Sequence, residues 1–116
     1  METCKVISYT NVKSEHLGRP GCLGARDRHL ISEADGAKHF HARVMEILPK
    51  GIIPSHHHEH EHCAFILEGK CTIVCEGEKK LAEEGTAVFI PPNVSHSWHN
   101  ASNTVIRFFL VDIFGL

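Results

Sequence analysis

The chain has 116 residues, of which 42% are hydrophobic and 22% charged, and its formal net charge is −2. This length suits a single domain with a modest core, and the absence of any block of like charges argues against a nucleic-acid or anionic-membrane partner. No apolar run approaches the roughly 18 residues that span a bilayer, and the first residues lack the layout of a signal peptide. We therefore expect a soluble, cytoplasmic protein.

The cysteines carry information about the redox compartment. There are five of them, at positions 4, 22, 63, 71 and 75, so a complete set of disulfides would leave one thiol over. They form no Cys-x-x-Cys pair, which a zinc ribbon or a redox motif would need. We expect reduced and mostly buried thiols.

The N-terminal third is predicted to be irregular. A short strand is expected at residues 5–8, and a loop at residues 18–24, where glycine and proline are dense. A strand is expected near residues 28–31, followed by a turn at residues 34–36. We interpret residues 1–37 as a strand-and-loop leader that packs on a barrel formed by residues 38–116, within one structural domain.

From residue 39 onward the pattern is one strand after another. Strands are expected over residues 39–48, 63–67, 71–75, 87–90 and 104–114. Residues 49–51 are predicted to end the first of these strands, and residues 68–70 carry a hairpin pattern. Residues 81–84 look helical, and Gly85 would end them. Short strands separated by such turns indicate an all-β sandwich or barrel, and an antiparallel jelly roll suits the length.

The most unusual feature is the histidine content. The chain has 11 histidines, and five of them fall within residues 55–62. On a strand, residues two apart share a face, so His56 and His58 should project together and His57 should oppose them. His62 can then enter the next strand facing the same interior. Histidine is the commonest metal ligand, so the spacing predicts a metal site. Glu59 and Glu61 could accept hydrogen bonds from ligand imidazoles.

A second ordered pattern lies about thirty residues further on. Gly85, Pro91, Asn93, His96 and Asn100 follow one another at fixed spacings. Asn93 tolerates the left-handed backbone conformation that a tight turn requires. His96 would begin the next strand and is the candidate for a fourth ligand.

These two segments resemble the two motifs of the cupin superfamily. Residues 51–69 match the first motif through His56, His58 and Gly69, with Gly51 one residue late, and Asn93 stands where the second motif usually has glycine. His62 stands where the family usually supplies a glutamate, which resembles the small single-domain cupins with a four-histidine metal site. The resemblance covers roughly residues 38–114.

The resemblance implies a cupin-type antiparallel jelly-roll β-barrel that forms a homodimer. It also implies manganese or iron as the working ion, one per chain, although imidazole ligands suit zinc, nickel and copper as well. Arg43 falls where such proteins carry an arginine facing the pocket. The substrate-binding candidates are Arg43, Met45, Trp98, Phe108 and Leu110.

Several alternatives stay open at this point. The site could have three ligands, with Glu59 or Glu61 in place of His62, and Arg43 could form a surface salt bridge instead of binding a carboxylate. Trp98 and Phe108 could belong to the core. His57 and His60 are expected to point outward.

The expected function is that of a metal-dependent oxidoreductase. Four neutral imidazoles leave a divalent ion with its full charge, which favours a small, anionic organic substrate, and a dioxygenase is the leading hypothesis. A non-catalytic ligand-binding or sensing protein and a sugar or keto isomerase are the alternatives. The sequence identifies no catalytic acid or base, so enzymatic activity itself stays open.

Overall fold

The computed structural model describes residues 3–114, and strands account for most of them. Two short 3₁₀ turns lie at Tyr9–Asn11 and Glu33–Asp35. None of the helical segments in the described part is long and apolar enough to cross a bilayer. The strands are β1 (Glu15–His16), β2 (Leu23–Ile31), β3 (Phe40–His56), β4 (Glu61–Glu68), β5 (Lys70–Cys75), β6 (Glu78–Glu83), β7 (Ala87–Ile90), β8 (His96–His99) and β9 (Ile106–Ile113).

The strands form a nearly closed antiparallel barrel. Their order is β6-β5-β8-β3-β9-β4-β7, and β2 pairs with β3 while β1 pairs with β2. This arrangement confirms the all-β barrel predicted from the sequence. Closure of this kind leaves few unpaired strand edges in a small domain.

Strand β9 shows how the sequence pattern fixes which face is buried. Ile106, Phe108, Leu110 and Asp112 are all buried, and the residues between them are partly exposed. Alternate residues of a strand point to opposite faces, so these four side chains point inward together. The inward-facing apolar series thus ends in the buried carboxylate of Asp112. The interior of the barrel therefore changes from apolar to polar along β9.

Strand β3 is longer than predicted and bends. Residues 49–51 do not end it, since the strand runs on from Phe40 to His56. Lys50 instead adopts a φ of 68°, and the register against β2 jumps from Ala25↔Ile47 to Leu23↔Ile52, which is a bulge. The first half of β3 pairs with β9 and the second half with β8. The bulge therefore lets one strand join both sides of the barrel.

Three other sequence predictions were wrong. Residues 5–8 form no strand, and residues 81–84 are not helical, because pairing of β6 with β5 overrides their helical preference. Residues 68–70 do not close a hairpin: β4 pairs with β7 and β9, whereas β5 pairs with β6 and β8. Gly69, at a φ of 87°, carries the chain from one group of strands to the other.

The cysteines are free thiols, as expected, but most of them are not buried. Cys71 is buried, Cys22 and Cys75 are partly buried, and Cys4 and Cys63 are exposed.

Candidate metal centre

Four histidine side chains meet at one end of the barrel. His56 is the last residue of β3, and His58 lies in the loop that follows. His62 is the second residue of β4, and His96 is the first residue of β8. His56 and His96 lie directly opposite one another in the antiparallel register of β3 and β8. Strand pairing therefore joins two segments that are far apart in the sequence.

The geometry of these rings suits a single divalent ion. One ring nitrogen from each of the four lies within 4.8 Å of the corresponding nitrogen of the others. Metal–nitrogen bonds of 2.0–2.1 Å place cis ligands about 3 Å apart and trans ligands about 4 Å apart. His62 and His96 are only 3% and 1% exposed, whereas His56 and His58 are partly exposed, so the cluster is reached from one side.

The outer nitrogens of three of the four rings already have a backbone acceptor. Nδ1 of His56 lies 2.8 Å from the carbonyl oxygen of Pro54, and Nδ1 of His96 lies 2.8 Å from that of Val94. Nδ1 of His58 is 3.3 Å from the carbonyl of His60. Each Nδ1–H that donates in this way leaves the Nε2 lone pair facing inward, which is the tautomer that a metal requires.

The inner nitrogens of His58, His62 and His96 have no hydrogen-bond partner outside the cluster within residues 3–114. His96 Nε2 is buried and has no hydrogen-bond partner among the described residues. His58 Nε2 and His62 Nε2 are 2.6 Å apart. Two imidazole lone pairs at this distance repel one another unless a proton or a cation lies between them. The donor set therefore fits a divalent transition metal.

Burial disfavours the charged form of three of these imidazoles by lowering their pKa. It lowers the pKa of His58 to about 4 and that of His96 to about 4, and neighbouring histidines add to the effect in both cases. Burial also lowers the pKa of His56, and the charge of Arg19 contributes. A metal ligand must be deprotonated, so these rings are ready to bind an ion at neutral pH.

The fourth outer contact is made by a residue that the sequence analysis missed. Nδ1 of His62 lies 2.7 Å from Oδ1 of Asp112 on β9, although the contact is bent away from ideal hydrogen-bond geometry. The expected acceptors, Glu59 and Glu61, make no hydrogen bond to the ligand rings in the described residues. The alternating pattern of β9 is the signal that could have identified Asp112 as an inward-facing carboxylate.

Asp112 belongs to a buried charge chain that includes Arg43. Nη2 of Arg43 lies 3.2 Å from Asp112, and Nη1 lies 3.2 Å from Asp27. Burial raises the pKa of Asp112, but His62, Arg43 and His60 outweigh it and lower that pKa to about 2. The structure thus gives Arg43 two carboxylate partners within the protein. A role in binding a substrate carboxylate would instead require an unpaired guanidinium.

His60 lies closer to the cluster than strand alternation suggests. Its ring stacks on that of His58 with centroids 3.9 Å apart, and its Nε2 lies 3.3 Å from Asp112. His60, His62 and Asp112 form a second group whose ligand atoms lie within 4.8 Å of one another. The prediction failed because residues 57–60 form a loop in which the two-residue period does not apply. His57 is exposed, as expected.

A cavity of about 90 Å³ opens beside the rings of His56, His58 and His62. Trp98 and Phe108, which stack with centroids 4.4 Å apart, belong both to the buried core and to the cavity wall. The other lining residues are Arg19, Arg43, Met45, Ile53, His60 and Leu110. All five side chains proposed from the sequence to bind substrate therefore face this cavity, and Arg19 is an addition.

Comparison with known proteins gives relatives of this architecture. The polyketide cyclase RemF from Streptomyces resistomycificus has 32% identity and a TM-score of 0.90, over 97% of this chain and 81% of that one. A predicted oxalate decarboxylase from Thermotoga maritima has 25% identity and a TM-score of 0.86, over 96% of this chain and 100% of that one.

A curated sequence relative is described as an uncharacterized protein from Aquifex aeolicus. It is 40% identical over 50 residues, which is 43% of this chain and 41% of the relative, so the match spans less than half of that protein. The family model described as the cupin domain matches residues 43–114, well over half of the chain. These residues include every histidine of the cluster, and we conclude that this chain belongs to the cupin domain family.

Proposed function

We propose that this protein is a metal-dependent oxidoreductase, of the dioxygenase type, acting on a small organic substrate. The observation that carries the proposal is the convergence of one ring nitrogen from each of four histidines. Three of the rings are held at Nδ1 by backbone carbonyls, and Nδ1 of His62 faces Asp112. His56, His58, His62 and His96 would hold the ion. Because an imidazole ligand carries no negative charge, the ion would keep its full positive charge toward a substrate.

Manganese or iron is the expected ion, by resemblance to the four-histidine cupins. Zinc, nickel and copper also bind imidazole, and the affinity order favours them in a purified sample. When bound, manganese or iron supplies Lewis acidity and one-electron redox chemistry.

The side chains around the ion would orient and enclose the reaction. Asp112 holds the His62 ring by its outer nitrogen, and Arg43 holds Asp112 in turn. Met45, Trp98, Phe108 and Leu110 close the cavity with buried apolar surface, which excludes bulk water and strengthens electrostatic interactions inside. A volume of about 90 Å³ holds roughly three waters, so the part of a substrate that enters must be small.

The lining of the cavity favours redox chemistry at the ion. Among the described residues, no carboxylate, lysine, tyrosine or cysteine lines the cavity. Proton-transfer reactions such as isomerisation depend on an acidic or basic side chain near the substrate, and among the described residues His60 is the lining histidine outside the proposed ligand set. Oxidation chemistry has no source in these side chains and would come from the ion.

A second candidate is carbon-bond chemistry without net oxidation, as in a cyclase or decarboxylase. It is supported by the 32% identity to a polyketide cyclase over 97% of this chain, and by the likeness to a predicted oxalate decarboxylase. A whole polyketide would not fit within about 90 Å³, so this candidate also requires a small substrate or one that enters only in part.

Metal analysis is the first test. Protein purified without chelator or nickel resin should carry about one transition-metal ion per chain by mass spectrometry. His62→Ala should lose most of it, whereas His57→Ala, which removes an exposed neighbour in the same segment, should keep it. Equal metal content in the two variants would remove His62 from the ligand set.

The reaction type requires a second test. The manganese- or iron-loaded protein should consume oxygen with a member of a panel of small enol, catechol and thiol substrates, and His62→Ala should not. Substrate loss without oxygen uptake would favour the second candidate, and silence across a broad panel would count against an enzyme.

A further inference from the structure

Both terminal nitrogens of Arg43 are paired within the protein, whereas its buried Nε has no partner among the described residues. Its two terminal nitrogens each lie 3.2 Å from a carboxylate, one of Asp27 and one of Asp112. Both carboxylates are buried, at 4% and 5% exposure. A guanidinium held between two carboxylates contributes no net positive charge to the cavity that it lines, so it is poorly suited to attract an anion.

Arg19 differs from the other arginines of the chain. Arg26, Arg28, Arg43 and Arg107 each donate to a side chain, respectively of Ser14, Glu46, Asp27 and Glu46. Arg19 is exposed, lines the same cavity as the histidine cluster, and has no hydrogen bond or ion pair from its side chain to any of residues 3–114. Its fork of donors is therefore available to a ligand.

A tight turn fixes the backbone from which Arg19 projects. The N–H of Cys22 donates to the carbonyl of Arg19 at 3.0 Å. Pro20 and Gly21 occupy the two central positions, and Gly21 has a φ of 83°, which is the sequence pattern of a type II turn. A Cβ on Gly21 would lie 3.0 Å from Cγ of Pro54, so the turn packs closely against β3.

Arg19 also stands where two cavities adjoin. The inner cavity, about 90 Å³, and an outer one, about 190 Å³, share Arg19, Ile53 and His56 as lining residues. The remaining walls of the outer cavity are formed by Pro20, Cys22, Pro54 and Ser55. Among the described residues no carboxylate lines either cavity, so nothing there repels an anion.

We propose that Arg19 is the specificity residue of this site, binding a carboxylate at the far end of a substrate whose near end reaches the histidine cluster. The inference rests on the proposed function, because it needs an ion on the four histidines. A guanidinium matches a carboxylate with two parallel hydrogen bonds, which a lysine cannot reproduce. The substrate is thus a small organic acid that has one carboxylate for Arg19 and, at its other end, an oxygen group for the ion.

The test compares two carboxylates on cobalt-loaded protein, where the visible absorption of the ion reports ligand binding. Acetate offers a single carboxylate, for the ion, whereas succinate offers a second carboxylate for Arg19. Succinate should bind wild-type protein about tenfold more tightly than acetate, as one charge-assisted pair provides. Arg19→Met should abolish most of this advantage, and Arg19→Lys should keep part of it. Lys79→Met, which removes an exposed cation on β6, should keep all of it.

Each outcome bears on a different claim. Failure of the wild-type protein to load cobalt would overturn the proposed function and this inference with it. Normal loading with equal acetate and succinate affinity in the wild type, or with the advantage of succinate unchanged in Arg19→Met, would overturn the inference alone. Cobalt loading of Arg19→Met at the wild-type level also shows that the variant is folded.

Discussion

His62 and Asp112 face one another directly across the antiparallel pair β4 and β9, with Nδ1 and Oδ1 2.7 Å apart. Both residues are buried. The register of these two strands therefore decides which carboxylate supports the metal cluster. A slip of one residue in either strand would turn that strand's side chain to the outer face and separate the pair.

Asp112→Asn should weaken metal binding about tenfold or more, because a partner that orients a ligand imidazole and increases its basicity typically contributes that much. The measurement is a competition titration with a chromophoric chelator. Glu59→Gln is the control, since Glu59 is exposed in the same segment. If Asp112→Asn bound metal with wild-type affinity, the contact between Asp112 and His62 would not contribute to metal binding.

Glu46 should make the stability of the protein depend on pH. Burial raises the pKa of its carboxylate, but hydrogen bonds from Arg107, Arg28 and Ser14 outweigh burial and lower it below the ordinary value of 4.5. A lowered folded-state pKa gives stability that is present above the unfolded-state pKa and is lost as pH falls through the folded-state pKa. The free energy of unfolding of metal-free protein should therefore decrease below about pH 4.5.

Glu46→Gln should reduce this dependence. The variant should also be about 1–3 kcal/mol less stable at pH 7, because it weakens buried hydrogen bonds to charged groups. Urea titrations at several pH values measure both effects. Identical slopes for wild type and variant between pH 5 and 3 would rule out the proposed role of Glu46.

Phe108→Ala should lower the free energy of unfolding by about 3–5 kcal/mol, the usual cost of emptying a buried aromatic site. The ring of Phe108 is fully buried and stacks on Trp98. Phe89→Ala is the matched control, because Phe89 is 60% exposed, and it should change stability little. Thermal melts of the two variants provide the comparison, and similar losses in both would contradict the assignment of the core.

Gly51→Ala should destabilise the bulge of β3. An added Cβ would lie 2.7 Å from Cγ2 of Ile47 and 2.8 Å from the carbonyl oxygens of Leu23 and Leu48. We expect the free energy of unfolding to fall by about 1–3 kcal/mol, because the backbone oxygens cannot shift without disturbing the strands. Gly18→Ala, whose nearest new contact is at 3.9 Å, should be close to neutral. Chemical denaturation measures the stability of the two variants. Equal stability would contradict the close packing at Gly51.

Local pattern predicted many of the elements. The strands at residues 71–75 and 87–90 and the turn at Asn93, with its φ of 63°, were placed correctly. Pairing between distant strands is not a local property, so the pattern wrongly predicts a helix at residues 81–84 and a hairpin at residues 68–70. The homodimer and the cytoplasmic location stay predictions.

The sequence by itself determined the barrel and the grouping of His56, His58, His62 and His96 as candidates, because strand alternation and motif spacing are local properties. Only the tertiary structure decided the surroundings of that cluster. Asp112 behind His62, the two carboxylates on Arg43 and the free fork of Arg19 all come from segments brought together by strand register and by a packed turn. Such contacts depend on distances across the barrel, which residue spacing along the chain does not encode.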